Sequence, residues 1–203
     1  MPDRQDSGKT RYHHGDLRAA LLEVGDALLD EGGATAVTLR EAARRLGVSA
    51  AATYRHFRDR EALLGALAVR GFDAFGSAMN GAFQAAQASG AAPLPAMGLA
   101  YVRFAVARPG RFRLMFGPAV ADRSAHPELQ QAIERASLAF RGAAQAQGEP
   151  AAPQAAVEPA AVLTMLKAWS LVHGLAQLII DGMLPGQDPE TLARAVLLAG
   201  APG

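Results

Sequence analysis

The sequence predicts an all-α protein of about nine helices, and three observations carry that expectation. Apolar residues recur at intervals of three and four along every long segment, and no segment alternates as a strand would. The breaks between segments hold Gly and Pro, with Ser, Thr or Asp where a helix should begin. Half of the 203 residues are hydrophobic, enough for one large core or two smaller domains sharing an interface.

Each element follows from its own signals. Leu17, Leu21, Val24 and Leu28 mark a first amphipathic helix that stops at Gly32-Gly33. Thr38 with Glu41 fits a capping box, in which the threonine accepts from the third helical N–H and the glutamate reaches back. This second helix ends at Leu46-Gly47. Ser49 caps a third helix to about Phe57, and Asp59 caps a fourth with Leu64, Leu67, Phe72, Phe75, Met79 and Phe83 along one side. Residues 88–95 read as a Gly/Pro-interrupted connection. A helix over 96–107, a short one after Pro109, a loop over 117–127 and a helix to about 147 come next. Residues 148–153 have the composition of a linker. Pro159 suits a helix first turn, that helix runs to about Asp181, and a last one follows Asp188-Pro189.

Composition excludes several functions. With no cysteine there is no disulfide framework, thiolate zinc site or thiol nucleophile. A glycine-rich phosphate loop, a nucleophile elbow and an HExxH motif are also absent, so an enzyme is not expected, and neither is a cofactor. His13-His14 lacks a third ligand at metal spacing, so no metal is expected. Residues 1–14 form a polar arm without a secretory signal, which fits a cytoplasmic protein. Residues 160–180 carry only Lys167 as a charge, but Thr164, Trp169, Ser170, His173 and Gln177 argue for a helix covered on two sides by protein, with no membrane partner.

The net charge of +1 hides a strong local asymmetry. Residues 36–60 hold six arginines (40, 44, 45, 55, 58 and 60) against Glu41 and Asp59. The first helix is acidic, with Arg18 against Asp16, Glu23, Asp26, Asp30 and Glu31, and residues 61–203 balance ten bases with ten acids. A positive field confined to one short unit is the footprint of a nucleic-acid contact. That unit reads as helix, tight turn, helix over 38–57. Gly47 supplies the positive φ of the turn, Ala42 and Ala43 let the helices cross closely, and Val48 fills the corner. The second helix could then enter a major groove, although spacing alone also fits an ordinary helical hairpin.

The run Leu39-Arg40-Glu41-Ala42-Ala43-Arg44-Arg45-Leu46-Gly47-Val48-Ser49, then Thr53-Tyr54-Arg55-His56-Phe57 and Glu61-Ala62-Leu63-Leu64, resembles the DNA-binding head of the TetR family. The likeness covers residues 15–64. Tyr12-His13-His14-Gly15-Asp16-Leu17-Arg18 and Trp169 with His173-Gly174 resemble one subgroup with a C-terminal Trp-His-Gly signature. The resemblance implies a basic arm over 1–14, a three-helix helix-turn-helix domain over 15–60, and a helical ligand-binding and dimerisation domain over 61–203. It also implies a repressor released from a palindromic double-stranded operator by a small hydrophobic or amphipathic effector. Base contacts would come from Arg40, Ala50, Ala51 and Thr53. Phosphate contacts would come from Thr38, Tyr54, His56, Arg60, Lys9 and Arg11. Here this sequence departs from many relatives: Ala50-Ala51-Ala52 offers methyl groups, which can pack on thymine methyls but cannot hydrogen-bond to bases. The arm either follows the phosphates or minor groove, or is a solvated tail.

For the body, the resemblance implies a sensor and a dimer interface. Candidate ligand-lining residues are Phe72, Phe75, Met79, Tyr101, Phe104, Phe112, Met115, Phe116, Phe140, Trp169 and His173; aromatic and Met stripes at helical spacing also read as plain core. The helix from Pro159 is apolar on nearly all sides, with Leu163, Leu166, Trp169 and His173 on one stripe. Met165, Ala168, Val172 and Ala176 on another stripe, with Leu192 and Val196 of the last helix, are expected at a homodimer interface. Arg103, Arg108, Arg111 and Arg113 are expected on a solvated face or between body and head, the alternative being a pocket for an acidic effector.

Overall fold

The computed structural model describes residues 16–146 and 159–198, and among these it holds nine α-helices, one 3-10 turn and no strand. The helices are α1 (Leu17–Ala36), α2 (Leu39–Leu46), α3 (Ala50–Tyr54), α4 (Arg60–Ser89), α5 (Pro93–Ala107), α6 (Pro109–Phe116), α7 (Pro127–Ala146), α8 (Pro159–Ile180) and α9 (Pro189–Leu198), with the 3-10 turn at Arg123–Ala125. The arm with Lys9, Arg11 and His13-His14, and the linker over 148–153, lie outside the described residues.

Local chemistry sets most helix starts. Side-chain oxygens of Asp16, Thr38, Ser49 and Asp59 accept from Ala19, Glu41, Ala52 and Ala62 backbone N–H groups, at 2.9, 3.1, 3.2 and 2.7 Å. The second half of the expected capping box does not form. Glu41 turns instead to Arg44 and Arg45, because two guanidinium groups on its own helix face attract a carboxylate more strongly than one backbone N–H does.

Three boundaries differ from expectation, the first being α1, which resumes after the non-helical Gly32 and Gly33 and ends at Ala36. Helix α4 runs to Ser89, leaving only residues 90–92 as connection. Gly90 takes a left-handed φ of 72°, and bonds from Ala91 N to Ala86 O and from Gly90 N to Gln87 O close the end. Pro93 and Pro95 then fall in the first turn of α5, where helix N–H groups have no intrahelical partner to lose. Helix α3 stops at Tyr54 rather than Phe57, giving way to a tighter turn with His56 N bonding Thr53 O at 3.0 Å.

Helix α4 is the spine. Its buried face includes Leu64, Leu67, Phe72, Phe75, Met79 and Phe83, as the period requires. Its beginning packs on α1, where Leu67 fills the space beside Gly25, and its remainder packs on α5, α6 and α7. By length and composition α4 could cross a membrane, yet half of its most apolar window is buried in this core. Helices α8 and α9 cover α5, and one hydrophobic cluster runs from Leu21 to Ala193 through all of these layers.

Candidate nucleic-acid interface and regulatory body

The helix-turn-helix forms over α2 and α3. Gly47 holds the turn at φ 66°, Ala42 and Ala43 are buried at the crossing, and Val48 N bonds Ala43 O at 3.1 Å. The arginines divide sharply. Arg44 and Arg45 hold Glu41, and their hydrogen bonds pull its carboxyl down to about 2. Arg45 also forms a fork onto Glu31 at 2.6 and 2.5 Å, tying α2 to α1. Arg58 pairs with Asp59 at 3.1 Å. Among the described residues, Arg40 and Arg55 alone of the six have no hydrogen-bonded or ionic partner, and both are exposed.

Two of the expected DNA contacts have partners within the fold. Thr53 is fully buried, and its hydroxyl donates to Ala50 O at 2.7 Å, so it faces the head's core and not a groove. Arg60 donates Nε–H to Val37 O at 2.8 Å and an Nη2 hydrogen to Ala34 O at 2.6 Å. Ala34 and Val37 lie in the last turn and at the C-cap of α1, where carbonyls lack the full set of helical donors, so Arg60 caps the end of α1 and holds α4 to it. Of the other expected positions, Ala50, Ala51, Arg40 and His56 are exposed, Tyr54 is 50% exposed, and Thr38 is half-buried at the α2 cap. Arg55 was visible in the sequence as a base at the end of α3, but only the partner assignments of its neighbours single it out. Arg18 lies over the Phe57 ring at 5.3 Å, a contact between distant elements with no sequence signal.

In the body, the expected ligand-lining residues converge. Phe72, Phe75, Met79, Tyr101, Phe112 and Met115 are buried; Phe104, Phe116, Phe140 and His173 are half-buried; Trp169 is 44% exposed. Their rings meet mostly edge to face, with Phe75 at 5.1 Å from Tyr101, 5.3 Å from Phe104 and 6.0 Å from Phe116. Tyr101 Oη accepts from Trp169 Nε1 at 3.2 Å and lies 2.8 Å from His173 Nδ1. Burial pushes the Tyr101 hydroxyl well above its usual range and lowers His173. A cleft of about 480 Å³ opens elsewhere, between Arg18, His56, Phe57 and Arg58 of the head and Gly65, Ala66, His126 and Leu129 of the body. None of the aromatic cluster lines it.

The expected dimer stripe is divided by burial. Val172 and Ala176 are buried within the protomer, Ala168, Leu192 and Val196 are half-buried, and only Met165 is exposed. Val172 and Ala176 belong to the protomer's own core because α8 packs on α5 through that side. The outward side of α8 carries Leu163, Leu166, Leu171 and Leu178, each about half exposed, so it is apolar and has no cover among the described residues.

Head and body meet along a charged seam. Glu23, Asp26 and Asp30 repeat at three and four along α1 and meet Arg70 of α4, Arg111 of α6 and Arg108 at its start. The distances are 2.6 Å for Glu23–Arg70, 2.7 Å for Asp26–Arg111 and 2.7 Å for Asp30–Arg108. Arg108 and Arg111 therefore join body to head as expected, whereas Arg103 pairs with Glu190 and Arg113 with Asp181. The Asp26–Arg111 contact is close but poorly angled for a hydrogen bond, so both Asp26 oxygens are buried without one. Burial accordingly outweighs the two arginines and raises the Asp26 pKa. Gly110 makes the approach possible, since a Cβ there would collide with the carbonyl oxygen of Leu29.

This architecture has known relatives. Residues 21–67 match the family described as bacterial regulatory proteins, tetR family, and residues 94–199 match the tetracyclin repressor-like C-terminal domain. A protein with unknown function from Rhodococcus sp. RHA1 is 33% identical with a TM-score of 0.75, over 94% of this chain and 96% of that one. The protein SCO4313 is 26% identical with a TM-score of 0.71, over 91% and 94%. PfmR, a TetR-family transcriptional regulator from Thermus thermophilus, is 21% identical with a TM-score of 0.62 over 90% and 99%, a likeness of fold alone. No curated protein matches. With an all-helical frame, a helix-turn-helix whose exposed edge is basic, and both of its segments matched, the chain belongs to the TetR family of DNA-binding transcription regulators.

Proposed function

We propose that the protein is a homodimeric repressor that binds a palindromic operator in the cytoplasm and releases it when a small hydrophobic or amphipathic effector enters the body. The observation that carries the DNA reading is the division of the arginines. Four of six have hydrogen-bonded or ionic partners among the described residues; Arg40 and Arg55 have none, and both are exposed, as are Ala50 and Ala51 at the start of α3. In this reading Arg40 contacts a base edge, Ala50 and Ala51 pack on thymine methyls, and Arg55, Tyr54, His56 and Thr38 hold phosphates. Lys9 and Arg11 of the arm add further phosphate contacts.

Dimerisation follows from the uncovered leucines of α8, which a second copy would shield together with α9. The two reading helices of a dimer must lie about 34 Å apart to enter successive major grooves. Effector binding acts by favouring a different spacing, passed to the head through α4 and through the α1–α6 seam.

The test is selection of a binding site from random DNA, followed by affinities for selected and scrambled duplexes across a salt series. Selected DNA should bind at least about a thousandfold tighter than scrambled DNA, and small-molecule extracts should contain an activity that releases it. Equal, purely salt-dependent binding to both duplexes would leave an architectural DNA binder and overturn the repressor reading.

A further inference from the structure

Helix α3 turns a small, apolar front to solvent. Ala50 and Ala51 at its start are exposed, and so are Tyr54 and Arg55 one turn later on the same side. The hydroxyls that flank this first turn are engaged with the backbone of the helix. Ser49 Oγ accepts from Ala52 N–H at 3.2 Å, and the buried Thr53 hydroxyl donates to Ala50 O at 2.7 Å. The helix proper therefore begins on two exposed methyl groups, those of Ala50 and Ala51.

The second helix of a helix-turn-helix lies in the major groove with its first residues at the base edges. In that groove base pairs are told apart by hydrogen-bond donors and acceptors and by one apolar group, the thymine C5-methyl. An alanine methyl gains nothing from a donor or an acceptor, and covering either one deprives it of water. It gains by taking a second methyl out of water, an effect of about fourfold in affinity for a group of that size. Cytosine methylated at C5 carries the same methyl at the same edge of the groove. It differs from thymine by an N4 donor in place of an O4 acceptor, a difference that alanine has no group to detect.

We propose that Ala50 and Ala51 read the C5-methyl group of a pyrimidine and not the identity of the base, so that 5-methylcytosine is accepted where thymine is. The proposal rests on the operator-binding reading above and names what the start of α3 recognises there. Unmodified cytosine at such a position is a poor contact, and its C5-methylated form is a good one. DNA methylation is then a signal that this head registers directly, through two side chains and without a hydrogen bond.

The test uses the full-length protein and a duplex selected from random DNA. Each thymine of one half-site is replaced in turn by deoxyuridine, which lacks only the C5-methyl. At one or more positions the affinity should fall about fourfold, and at the remaining thymines it should not change. Cytosine and 5-methylcytosine, each opposite guanine, are then compared at the sensitive positions, and the methylated base should bind about fourfold tighter. Ala50→Gly and Ala51→Gly remove the protein's side of the contact. In one or both, the loss caused by deoxyuridine should disappear while the base preference assigned to Arg40 persists. Should either variant fail to fold, the deoxyuridine and 5-methylcytosine comparisons on the unaltered protein decide. Deoxyuridine tolerated at every thymine, or 5-methylcytosine binding no better than cytosine, would overturn the proposal. So would a deoxyuridine effect that survives both glycine variants, since it would then lie in the deformability of the DNA. A selected duplex that tolerates deoxyuridine throughout keeps the operator reading and rejects the methyl contact, whereas failure to select any duplex rejects that reading and this proposal with it.

Discussion

At the scale of single residues, chemical type and role part company most clearly among the arginines. Arg40 and Arg60 both sit at helix starts in the basic unit, yet one is exposed without a partner and the other closes the end of α1. Arg40→Ala should leave the melting temperature unchanged and relax preference at one base pair per half-site, a loss of about 1–3 kcal/mol there. Arg60→Ala should instead destabilise the protein by about 1.5–3 kcal/mol, because two backbone carbonyls lose a charged donor. The salt dependence of DNA binding should not change in that variant. Thermal melts with operator titrations across a salt series separate the two, and a flattened salt slope in Arg60→Ala would restore it as a phosphate contact.

At the scale of elements, α6 and α8 each have one side whose neighbour dictates what it tolerates. The α6 backbone at Gly110 touches the α1 backbone at Leu29. Gly110→Ala should push the helices apart, costing about 1–3 kcal/mol as an overpacked contact. It should also weaken the influence of effector on operator affinity, measured as the ratio of affinities with and without the releasing extract. On α8, Leu171 is half exposed and the adjacent Val172 is buried. Leu171→Glu should give a folded monomer in sedimentation, with a melting temperature close to that of the separated protomer. Val172→Asp should unfold the body, since a carboxylate would enter the core without a partner. A folded Leu171→Glu dimer at micromolar concentration would place the interface elsewhere.

At the scale of the whole molecule, two links join head to body, the continuous helix α4 and the charged seam. Arg111 offsets the buried charge of Asp26, so Arg111→Ala should destabilise by about 3–5 kcal/mol near neutral pH. The sign of its pH dependence follows from the raised Asp26 pKa. The folded state holds that proton more tightly than the unfolded chain does, so the variant's stability should be highest in acid and fall as pH rises through the folded-state pKa. Denaturant melts of variant and parent from about pH 4 to 7 check this, and a penalty independent of pH would remove Asp26 as its cause. For the dimer, spin labels on α3 should report a head-to-head distance of about 34 Å with operator and a changed distance with the releasing extract. Release without any change of distance would favour local loosening of the head over a rigid shift.

What the sequence determined by itself is local in origin. Helix periods, the Thr38, Ser49 and Asp59 caps and the Gly47 turn depend on residues within a few positions of one another, so their spacing suffices to read them. The same holds for the DNA-reading unit, a continuous stretch whose charge stands out against a balanced chain. The tertiary structure alone decided which side chains remain available. Arg45 and Arg60 were lost to Glu31 and to the carbonyls of Ala34 and Val37, partners 14, 26 and 23 positions away. Thr53 was lost to the core, and Val172 and Ala176 went inward because α5 lies on that side of α8. An amphipathic period shows that a helix has an apolar side, but a helix apolar all round, as α8 is, has no polar side to reveal its direction. Its orientation, like the pairing of a charge, is settled by whatever packs against it.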